Sequence, residues 1–309
     1  MKILIVKPSS FGDIVQALPC ANALKQAYRG CQLTWVVFDN WELLPKICTD
    51  IDEVITWDKK KGLKGFVDVL KKVRQKEYDI AIDLQGLLRS AFLAKFSKSK
   101  IKVGVSGMKE FSNILIKEIY PKKAKINATL RNLEIVSYLT NKTFEPKVNL
   151  KISVNAGNII SSNEILNNFI VFLPFARGKG KDWGVSNYQK LVFLLKEKYP
   201  DLNIVVLGSK NDYGKMQSND IIDLCGKTNI EELASILIKA RVAVGADTGP
   251  MHLASVLNVP SIFIFGMSDM KETSPYIGKF SLLVNEQNPE DIKSVSSDTV
   301  FKETLKWIK

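Results

Sequence analysis

Short apolar runs alternate with amphipathic stretches from the first residues of the chain onward. In the first half, the apolar runs typical of strands cover residues 2–6, 33–38, 53–56, 79–83 and 101–105. Apolar positions spaced three and four apart predict helices at 14–28, 66–74, 87–96 and 129–138. Pro19 is expected to kink or restart the first of these helices, because proline cannot continue the backbone hydrogen bonds of a helix.

The second half repeats the same alternation. Its strand patterns cover residues 169–173, 203–207, 220–224, 242–245 and 261–265, and its helical patterns cover 186–198, 230–240, 251–256 and 298–309. Strands that alternate with helices predict α/β domains with doubly wound parallel sheets. We therefore predict one domain at 1–150, a linker at 151–168 in a stretch rich in Asn and Ser, a second domain at 169–290, and a C-terminal helix at 291–309 that could pack on either domain.

Length and composition fit this organisation. A chain of 309 residues with 46% hydrophobic and 25% charged residues is typical of a globular protein with two domains. No apolar run approaches the ~20 residues that span a bilayer, and residues 1–7 indicate a first strand rather than a signal peptide. The four cysteines form no C-x-x-C pair and there is one histidine. We therefore expect a cytoplasmic protein without a structural metal site.

The charge is unevenly distributed between the two halves. Residues 1–150 hold 26 Lys and Arg against 15 Asp and Glu, a net of +11, whereas residues 151–309 have a net of +1. Basic side chains cluster at Lys59, Lys60, Lys61, Lys64, Lys71, Lys72, Arg74 and Lys76, and again at Lys117, Lys122, Lys123 and Lys125. The excess of positive charge in the first half either lies on a solvated surface without a partner or indicates binding to an anionic partner. The candidate partners are anionic lipid headgroups, an acidic glycolipid and nucleic acid. Nucleic acid is disfavoured, because no basic strand with interleaved aromatic residues occurs.

The segment from Asp247 to His252 carries the clearest chemical signal. A strand-like run ends there at Asp247-Thr248-Gly249-Pro250, and a helix-like run begins at Met251. The first N–H groups of a helix have no partner within it, and the helix dipole favours an anion there, so this geometry is suited to phosphate. The alternative is an ordinary turn in which Asp247 caps the helix.

Three further clusters lie at the ends of predicted strands. Residues 7–13 include Ser9, Ser10, Gly12 and Asp13; Asp13 is either a helix cap or a carboxylate base. Residues 175–183 include Arg177, Lys179 and Lys181, and form either a basic loop over an anion or a plain surface loop. Residues 83–90 place Gln85 and Arg89 after the fourth strand. A base, a basic loop and a phosphate-binding turn at strand ends favour an active site when they occur together.

Four blocks of the sequence resemble the lipopolysaccharide-core heptosyltransferases. They are KPSSFGDIVQALP at 7–19, DLQGLLRSA at 83–91, the stretch 226–234, and GADTGPMHLA at 245–254. The second block is similar to that of the type that adds the first heptose, and the resemblance extends over residues 1–270. It implies a GT-B fold with two Rossmann-like domains facing across a cleft. It also implies ADP-heptose as donor, the Kdo inner-core sugar of lipid A as acceptor, and an inverting mechanism with no metal or other cofactor.

The resemblance also implies a role for each matched residue. Asp13 would deprotonate the acceptor hydroxyl, and Lys181 would neutralise the leaving diphosphate, with Arg177 close by. The other donor-side residues would be the N–H groups of Thr248 and Gly249 at the phosphates, Asp247 and His252 around them, Asp212 at the ribose and Thr228 near the adenine. Ser9, Ser10, Gly12, Gln85 and Arg89 would form the acceptor-side loops.

An acceptor that is an anionic glycolipid would account for the basic first half. The protein would then associate peripherally with the anionic cytoplasmic face of the inner membrane. Two positions depart from the family pattern, since Gln16 stands where His is common and Ala176-Arg177 stand where hydroxyl residues are common.

Other functions remain open at this point. One is a different enzyme on the same fold, such as another family-nine sugar transferase or a nucleotide-sugar epimerase. Another is a non-catalytic nucleotide-binding protein that docks on an anionic membrane. A Rossmann dehydrogenase is disfavoured, because no G-x-G-x-x-G follows the first strand.

Overall fold

The computed structural model describes residues 1–119, 126–155, 168–178 and 180–308. The chain divides into two compact units, Met1–Lys151 and Ile152–Lys309. Most of the stretch predicted as a linker, residues 156–167, lies outside the described residues. Within the described ranges each unit contains one six-stranded parallel sheet.

The first unit is built on a sheet with the strand order β3-β2-β1-β4-β5-β6. Its strands are β1 Lys2–Val6, β2 Gln32–Phe38, β3 Glu53–Trp57, β4 Glu77–Asp83, β5 Lys98–Gly104 and β6 Lys117–Glu118. Its helices are α1 Phe11–Ala17, α2 Pro19–Ala27, α3 Leu43–Lys46, α4 Gly62–Val73, α5 Leu88–Phe96 and α6 Ala128–Thr140. Ile3, Leu4, Ile5 and Val6 of the central strand are all fully buried, as expected for a parallel sheet covered by helices on both faces.

The second unit has the same architecture, with the strand order β12-β11-β10-β7-β8-β9. Its strands are β7 Phe169–Leu173, β8 Asn203–Val206, β9 Ile222–Asp223, β10 Ala243–Ala246, β11 Ser261–Ile264 and β12 Phe280–Leu283. Its helices are α7 Val185–Lys198, α8 Ile230–Lys239, α9 Gly249–Val256, α10 Met270–Thr273 and α11 Ser297–Ile308. Counted within each unit, both sheets have the order 3-2-1-4-5-6 of a Rossmann fold.

Two specific expectations about helices are confirmed. The helical pattern at 14–28 is divided into α1 and α2, and α2 begins at Pro19, which is a favourable first helical position because its missing N–H would have no partner there. The C-terminal pattern forms α11, which packs on α7 within the second unit. Arg241 Nη1 donates to the Ile308 carbonyl at 2.8 Å and fixes the end of α11.

The elements that the sequence pattern did not indicate are short or lie at sheet edges. They are α3, α10, β6 and β12, and β5 also begins three residues before its predicted start. The side chains of β12 are only partly buried, so the hydrophobic pattern that marks a central strand is weak there. In the part of the chain that the structure describes, no helix has both the length and the apolar character to cross a membrane.

Candidate functional site

In each unit the strand order reverses between the first and fourth strands. This switch point lies between β1 and β4 in the first unit and between β7 and β10 in the second. Ligands of open α/β sheets bind at the carboxyl ends of the strands beside such a point, because the loops diverge there. The candidate residues predicted from the sequence follow these strands, so each unit carries its candidate residues at its own switch point.

Asp247 is the centre of the site in the second unit. It directly follows β10 and is 5% exposed. Lys181 Nζ donates to Asp247 Oδ2 at 2.7 Å, and His252 Nε2 lies 2.9 Å from Asp247 Oδ1. Burial alone would raise the pKa of Asp247, but the hydrogen bonds and charges of His252 and Lys181 outweigh burial and lower it to about 2. The ionised carboxylate therefore holds a cation and an imidazole in fixed positions.

The N-terminus of α9 lies directly beside this ion pair. Thr248 is the N-cap in an extended conformation, Gly249 begins the helix and Pro250 occupies its first turn. The capping residue is thus Thr248 and not Asp247, whose carboxylate points instead to Lys181 and His252. Thr248 Oγ1 is buried and has no hydrogen-bond partner among the described residues. Such a group is costly to leave unpaired, so it and the first helical N–H groups form a suitable cradle for an anion.

The loop that carries Lys181 is anchored by its tryptophan. Trp183 is fully buried and donates from Nε1 to the Val295 carbonyl at 2.7 Å. Gly180 adopts φ +75°, in the left-handed region that favours glycine, and a Cβ at this position would also force the Met267 side chain to move. Arg177 is exposed on the same loop, and Lys179 lies outside the described residues. The loop thus holds Lys181 in place and leaves a second cation, Arg177, accessible to solvent.

Asp212 and Thr228 lie near the ends of the neighbouring strands β8 and β9. Asp212 Oδ2 accepts from Ser209 N and Oγ at 3.0 and 2.5 Å, and Lys215 Nζ donates to its Oδ1 at 2.8 Å. Gly226 packs on the backbone of Lys210, which brings the loop before Thr228 against the turn that holds Asp212. Thr228 is half-buried. The structure therefore brings both residues that were predicted to bind the nucleotide-sugar donor to the carboxyl ends of these neighbouring strands.

Asp13 lies on the first turn of α1, after β1. It is exposed, and Ser10 N and Ser10 Oγ both donate to its Oδ2, at 3.0 and 2.5 Å. The N-cap of α1 is therefore Ser10 and not Asp13, which stands three residues later in a capping box, and its carboxylate stabilises the start of α1 while it is still accessible to solvent. Gln85 Oε1 accepts from Ser9 N at 3.2 Å and joins the two loops that the sequence predicts on the acceptor side.

The remaining residues of the acceptor-side loops lie close to this junction. Gly12 is half-buried in α1, and Arg89 is exposed on the first turn of α5. Gln16 is buried, and its carbonyl accepts from Asn132 Nδ2 at 3.3 Å. Arg89 is therefore accessible to an acceptor, whereas Gln16 lies in the interior.

Two buried charges at the first switch point were not among the predicted site residues. Lys7, which follows β1, is 7% exposed, and Asp83, the last residue of β4, is fully buried. Burial raises the pKa of Asp83 to about 6, although the N–H groups of Gly86 and Gln85, the Ser90 hydroxyl and the charge of Lys7 act in the opposite direction. Burial likewise lowers the pKa of Lys7, against the favourable charges of Asp13 and Asp83. The sequence signal was available, since a charged residue at each place ends an apolar strand.

The chain contains an Asp-x-Asp pair, Asp50 and Asp52, and carboxylate oxygens are the ligands that a divalent ion such as Mg²⁺ prefers. Both carboxylates have partners within the first unit. Asp50 accepts from the side chains of Asn22 and Asn149, and Asp52 pairs with Lys25 at 2.7 Å. Their contacts indicate a structural role.

We expect Asp247→Asn to lower the free energy of unfolding by ~2 kcal/mol at pH 7, because a pKa lowered from 3.8 to about 2 corresponds to that stabilisation. A depressed carboxylate pKa stabilises the fold above pH 4, and this stabilisation is lost as the pH falls through 2. Urea titrations of both proteins at several pH values measure the difference. Asp298→Asn is the control and should change little, because its pair with Lys190 is exposed. If the free energies of unfolding of wild type and Asp247→Asn differ by the same amount at pH 7 and at pH 2, the lowered pKa of Asp247 is contradicted.

Comparison with known protein sequences supports the relationship suggested by the four blocks. The model of glycosyltransferase family 9 (heptosyltransferase) matches residues 67–302. Lipopolysaccharide heptosyltransferase 1 of Campylobacter coli is 26% identical over 315 residues, which cover 93% of this chain and 88% of that protein. Lipopolysaccharide heptosyltransferase 1 of Salmonella typhimurium is also 26% identical, over 87% of this chain and 89% of that protein.

Solved structures share the fold. Escherichia coli heptosyltransferase WaaC with ADP aligns at a TM-score of 0.81 and 20% identity, over 100% of both chains. A glycosyl transferase family 9 protein from Veillonella parvula aligns at a TM-score of 0.86 and 18% identity, over 99% of this chain and 97% of that one. Together with the two Rossmann-like sheets, these alignments show a GT-B fold. Because the family model matches well over half of the residues of this chain, the chain belongs to glycosyltransferase family 9.

Proposed function

We propose that this glycosyltransferase moves heptose from ADP-heptose to the Kdo sugar of lipid A, with inversion at the anomeric carbon. The curated relatives reported above are named as lipopolysaccharide heptosyltransferases, and solved relatives hold ADP or ADP-2-deoxy-2-fluoro heptose. The single observation within this chain that carries the proposal is the Lys181–Asp247–His252 cluster at the N-terminus of α9. That arrangement is suited to a departing phosphate.

The second unit would bind the donor. The diphosphate would lie at the N-terminus of α9, where it accepts from the N–H groups of Thr248 and Gly249, and where Lys181 neutralises its charge. Lys181 Nζ donates to both the carboxylate and the backbone carbonyl of Asp247, which would hold the ammonium in position while its third N–H group turns to the phosphate. Arg177 would add a second cation, Asp212 would accept from the ribose hydroxyls, and Thr228 would lie near the adenine. His252 would maintain the orientation of Asp247.

The first unit would bind the acceptor and supply the base. As the acceptor hydroxyl attacks the anomeric carbon of the heptose, its proton passes to the Asp13 carboxylate. The new carbon–oxygen bond forms while the bond to the diphosphate breaks, and that electron pair leaves with ADP. Attack on the face opposite the leaving group inverts the anomeric configuration. Ser9, Ser10, Gly12, Gln85 and Arg89 would position the acceptor around Asp13.

A donor screen tests this assignment. Purified protein would be incubated with ADP-, GDP- and UDP-sugars and a Kdo–lipid A acceptor, and the product linkage would be determined by NMR. We expect transfer from ADP-heptose alone, with inverted configuration. Transfer from another nucleotide sugar, or epimerisation of the donor without acceptor, would identify a different enzyme of the same fold. Nucleotide binding without any turnover would indicate a non-catalytic protein.

The basic surface of the first unit predicts a salt-sensitive association with anionic membranes. Lys59, Lys60, Lys61, Lys64, Lys71 and Lys72 are all exposed. Each Lys near an anionic surface contributes ~1 kcal/mol, and screening within ~8 Å at physiological ionic strength weakens the attraction. Replacing these six lysines by Gln should therefore weaken binding to anionic vesicles and raise the acceptor KM, while the donor KM is unchanged. Vesicle sedimentation across a salt series and steady-state kinetics measure both effects.

A matched control removes the same charge from the second unit. Lys198, Lys239, Lys271, Lys279, Lys293 and Lys302 are also exposed, and their replacement by Gln should leave vesicle binding and both KM values unchanged. If the two sextuple variants behave alike, the charge of the first unit acts only as a solvated surface.

A further inference from the structure

A turn after β5 exposes two large apolar side chains to solvent. Phe111 is 81% exposed and Ile114 is 79% exposed, and Leu88 at the start of α5 is 37% exposed. Single exposed apolar residues are ordinary on protein surfaces, but two that are almost entirely exposed within four residues form a surface that water solvates poorly.

This turn is held firmly to the rest of the first unit. Lys109 N donates to the Gly86 carbonyl at 2.8 Å, and the fully buried Ser112 donates from Oγ to the same carbonyl at 3.2 Å. On the other side, Gly107 N and Met108 N donate to Glu118 Oε1 at 2.5 and 3.2 Å. The apolar pair is therefore presented by a hydrogen-bonded turn anchored at both ends.

The backbone of the turn directs Phe111 outward. Glu110 and Phe111 both have φ +58°, in the left-handed region that a bulky residue rarely adopts. The carboxylate of Glu110 accepts from Leu88 N at 3.0 Å, which fixes this conformation against the start of α5. The local structure keeps the aromatic ring away from the core that it could otherwise join.

The turn lies next to the proposed acceptor side of the first unit. Gly86, to which it is bonded, belongs to the same loop as Gln85, and Gln85 is bonded to Ser9 in the loop before Asp13. The apolar pair is thus connected to the proposed base through two hydrogen-bonded loops. A surface that contacts the apolar pair would also lie near the groups that select the acceptor.

The charges around the turn indicate which surface it fits. The acidic side chains Glu110 and Glu118 accept from backbone N–H groups of the first unit. Arg89, Lys109 and Lys117 are exposed cations. The three cations outnumber the two carboxylates, and both carboxylates are engaged by backbone N–H groups. Apolar side chains flanked by such a cationic excess match the interface of an anionic bilayer, where the rings and alkyl groups enter the acyl boundary and the cations remain at the headgroups.

We propose that Phe111 and Ile114 insert into the interfacial layer of an anionic bilayer and hold the acceptor-side loops of the first unit at the lipid headgroups. This inference deepens the proposed function, since it rests on an acceptor anchored in a membrane. It differs from the electrostatic attraction of Lys59, Lys60, Lys61, Lys64, Lys71 and Lys72, because it depends on apolar contact and should persist at high salt.

A double variant tests the apolar contribution. Phe111→Ser with Ile114→Ser should lower partitioning onto vesicles that contain phosphatidylglycerol by ~10-fold or more, because the variant lacks the two apolar side chains that the bilayer would remove from water. The loss should persist at high salt, where the lysine contribution is screened. Phe193→Ser is the matched control, since Phe193 is a 65% exposed phenylalanine of the second unit, and it should leave partitioning unchanged. Equal partitioning of the double variant and wild type would overturn the proposal.

Fluorescence quenching tests insertion directly. In the Phe111→Trp variant, brominated lipids should quench the added tryptophan when vesicles are present, whereas the tryptophan of Phe193→Trp should not be quenched. Absence of quenching at position 111 would overturn the proposal. If sedimentation velocity shows a dimer that the double serine variant makes monomeric, while vesicle partitioning is unchanged, the occupant of the surface is a second copy of the chain.

Kinetics separates this inference from the proposed function. The double serine variant should transfer heptose more slowly to Kdo–lipid A in vesicles but at the wild-type rate to a deacylated, soluble Kdo acceptor. An equal slowing on both acceptors would indicate a structural defect of the loop and contradict the bilayer contact. If wild type acts on neither acceptor, the proposed function fails, whereas the quenching experiment still decides whether the turn inserts.

Discussion

Asp13→Asn should lower turnover by ~100-fold or more while donor affinity stays nearly unchanged, because the variant loses the group that accepts the proton of the attacking hydroxyl. Asn keeps the shape of the side chain and an oxygen that can accept from Ser10 N, so α1 should still begin at Phe11. Steady-state kinetics with saturating donor gives kcat, and calorimetry with ADP gives donor affinity. Wild-type turnover in the folded variant would eliminate Asp13 as the base.

The second unit offers a comparison with almost the same local geometry. Ser209 N and Oγ donate to Asp212 Oδ2 at 3.0 and 2.5 Å, the distances that Ser10 shows to Asp13. Asp212→Asn therefore disturbs an equivalent turn, but it should raise the donor KM and change kcat only a few-fold. If both variants lower kcat equally, the effect arises from the turn and not from proton transfer.

Ser10→Ala should lower kcat only a few-fold, since the Asp13 carboxylate remains.

The fold could be predicted because its signals are local. The buried central strands are continuous apolar runs, and Pro19 and the turn at Thr248-Gly249-Pro250 mark helix starts. β6 and β12 were missed because edge strands need little apolar pattern, and each is defined by its pairing with the preceding strand rather than by its own residues. The outward position of Phe111 could not be predicted either, because an apolar residue in a loop is ordinarily assigned to the core.

The sequence indicates which residues belong to the candidate site, but it does not indicate which of them contact one another. Lys181 and Asp247 are 66 positions apart, so their ion pair depends on the adjacency of β7 and β10. The same reasoning applies to Lys7 and Asp83, which follow and end the adjacent strands β1 and β4. In each unit a lysine from the first loop and an aspartate from the fourth strand lie at the switch point. The sequence shows charged residues at four strand ends, and only the parallel register shows which lysine lies near which aspartate. Lys181 and Asp247 form an ion pair, whereas Lys7 and Asp83 act on each other only through their charges.

The two pairs nevertheless have different properties, which bears on what each can do. In the second unit, hydrogen bonds and charges from His252 and Lys181 lower the pKa of Asp247 to about 2, so its carboxylate is ionised throughout the physiological range. In the first unit, burial raises the pKa of Asp83 to about 6 and lowers that of Lys7. The ion pair of the second unit is therefore the better support for a permanently charged group that faces a phosphate.

Lys181→Ala should weaken ADP binding and lower turnover, each because the cation that faces the diphosphate is lost. A positioned group of this kind contributes on the order of 3 kcal/mol to a transition state, so kcat/KM should fall by ~100-fold. Lys181→Arg should recover part of this loss, since it retains the charge and can still bond to Asp247. Lys190→Ala is the matched control, because it removes a lysine–aspartate pair from the exposed surface of the same unit and should leave both parameters unchanged.

Repeating these kinetic measurements in the presence of EDTA tests which groups neutralise the charge of the leaving diphosphate. If Lys181, Arg177 and the N-terminus of α9 supply the positive charge, wild-type activity should be unchanged by EDTA, and magnesium should not restore the Lys181→Ala variant. Loss of wild-type activity in EDTA, with recovery on addition of magnesium, would show that a divalent ion performs this task. Lys181→Ala would then be expected to affect donor binding more than the chemical step. A fall in kcat that exceeds the fall in donor affinity therefore favours Lys181 as the group that stabilises the departing phosphate, because that charge develops only as the bond breaks.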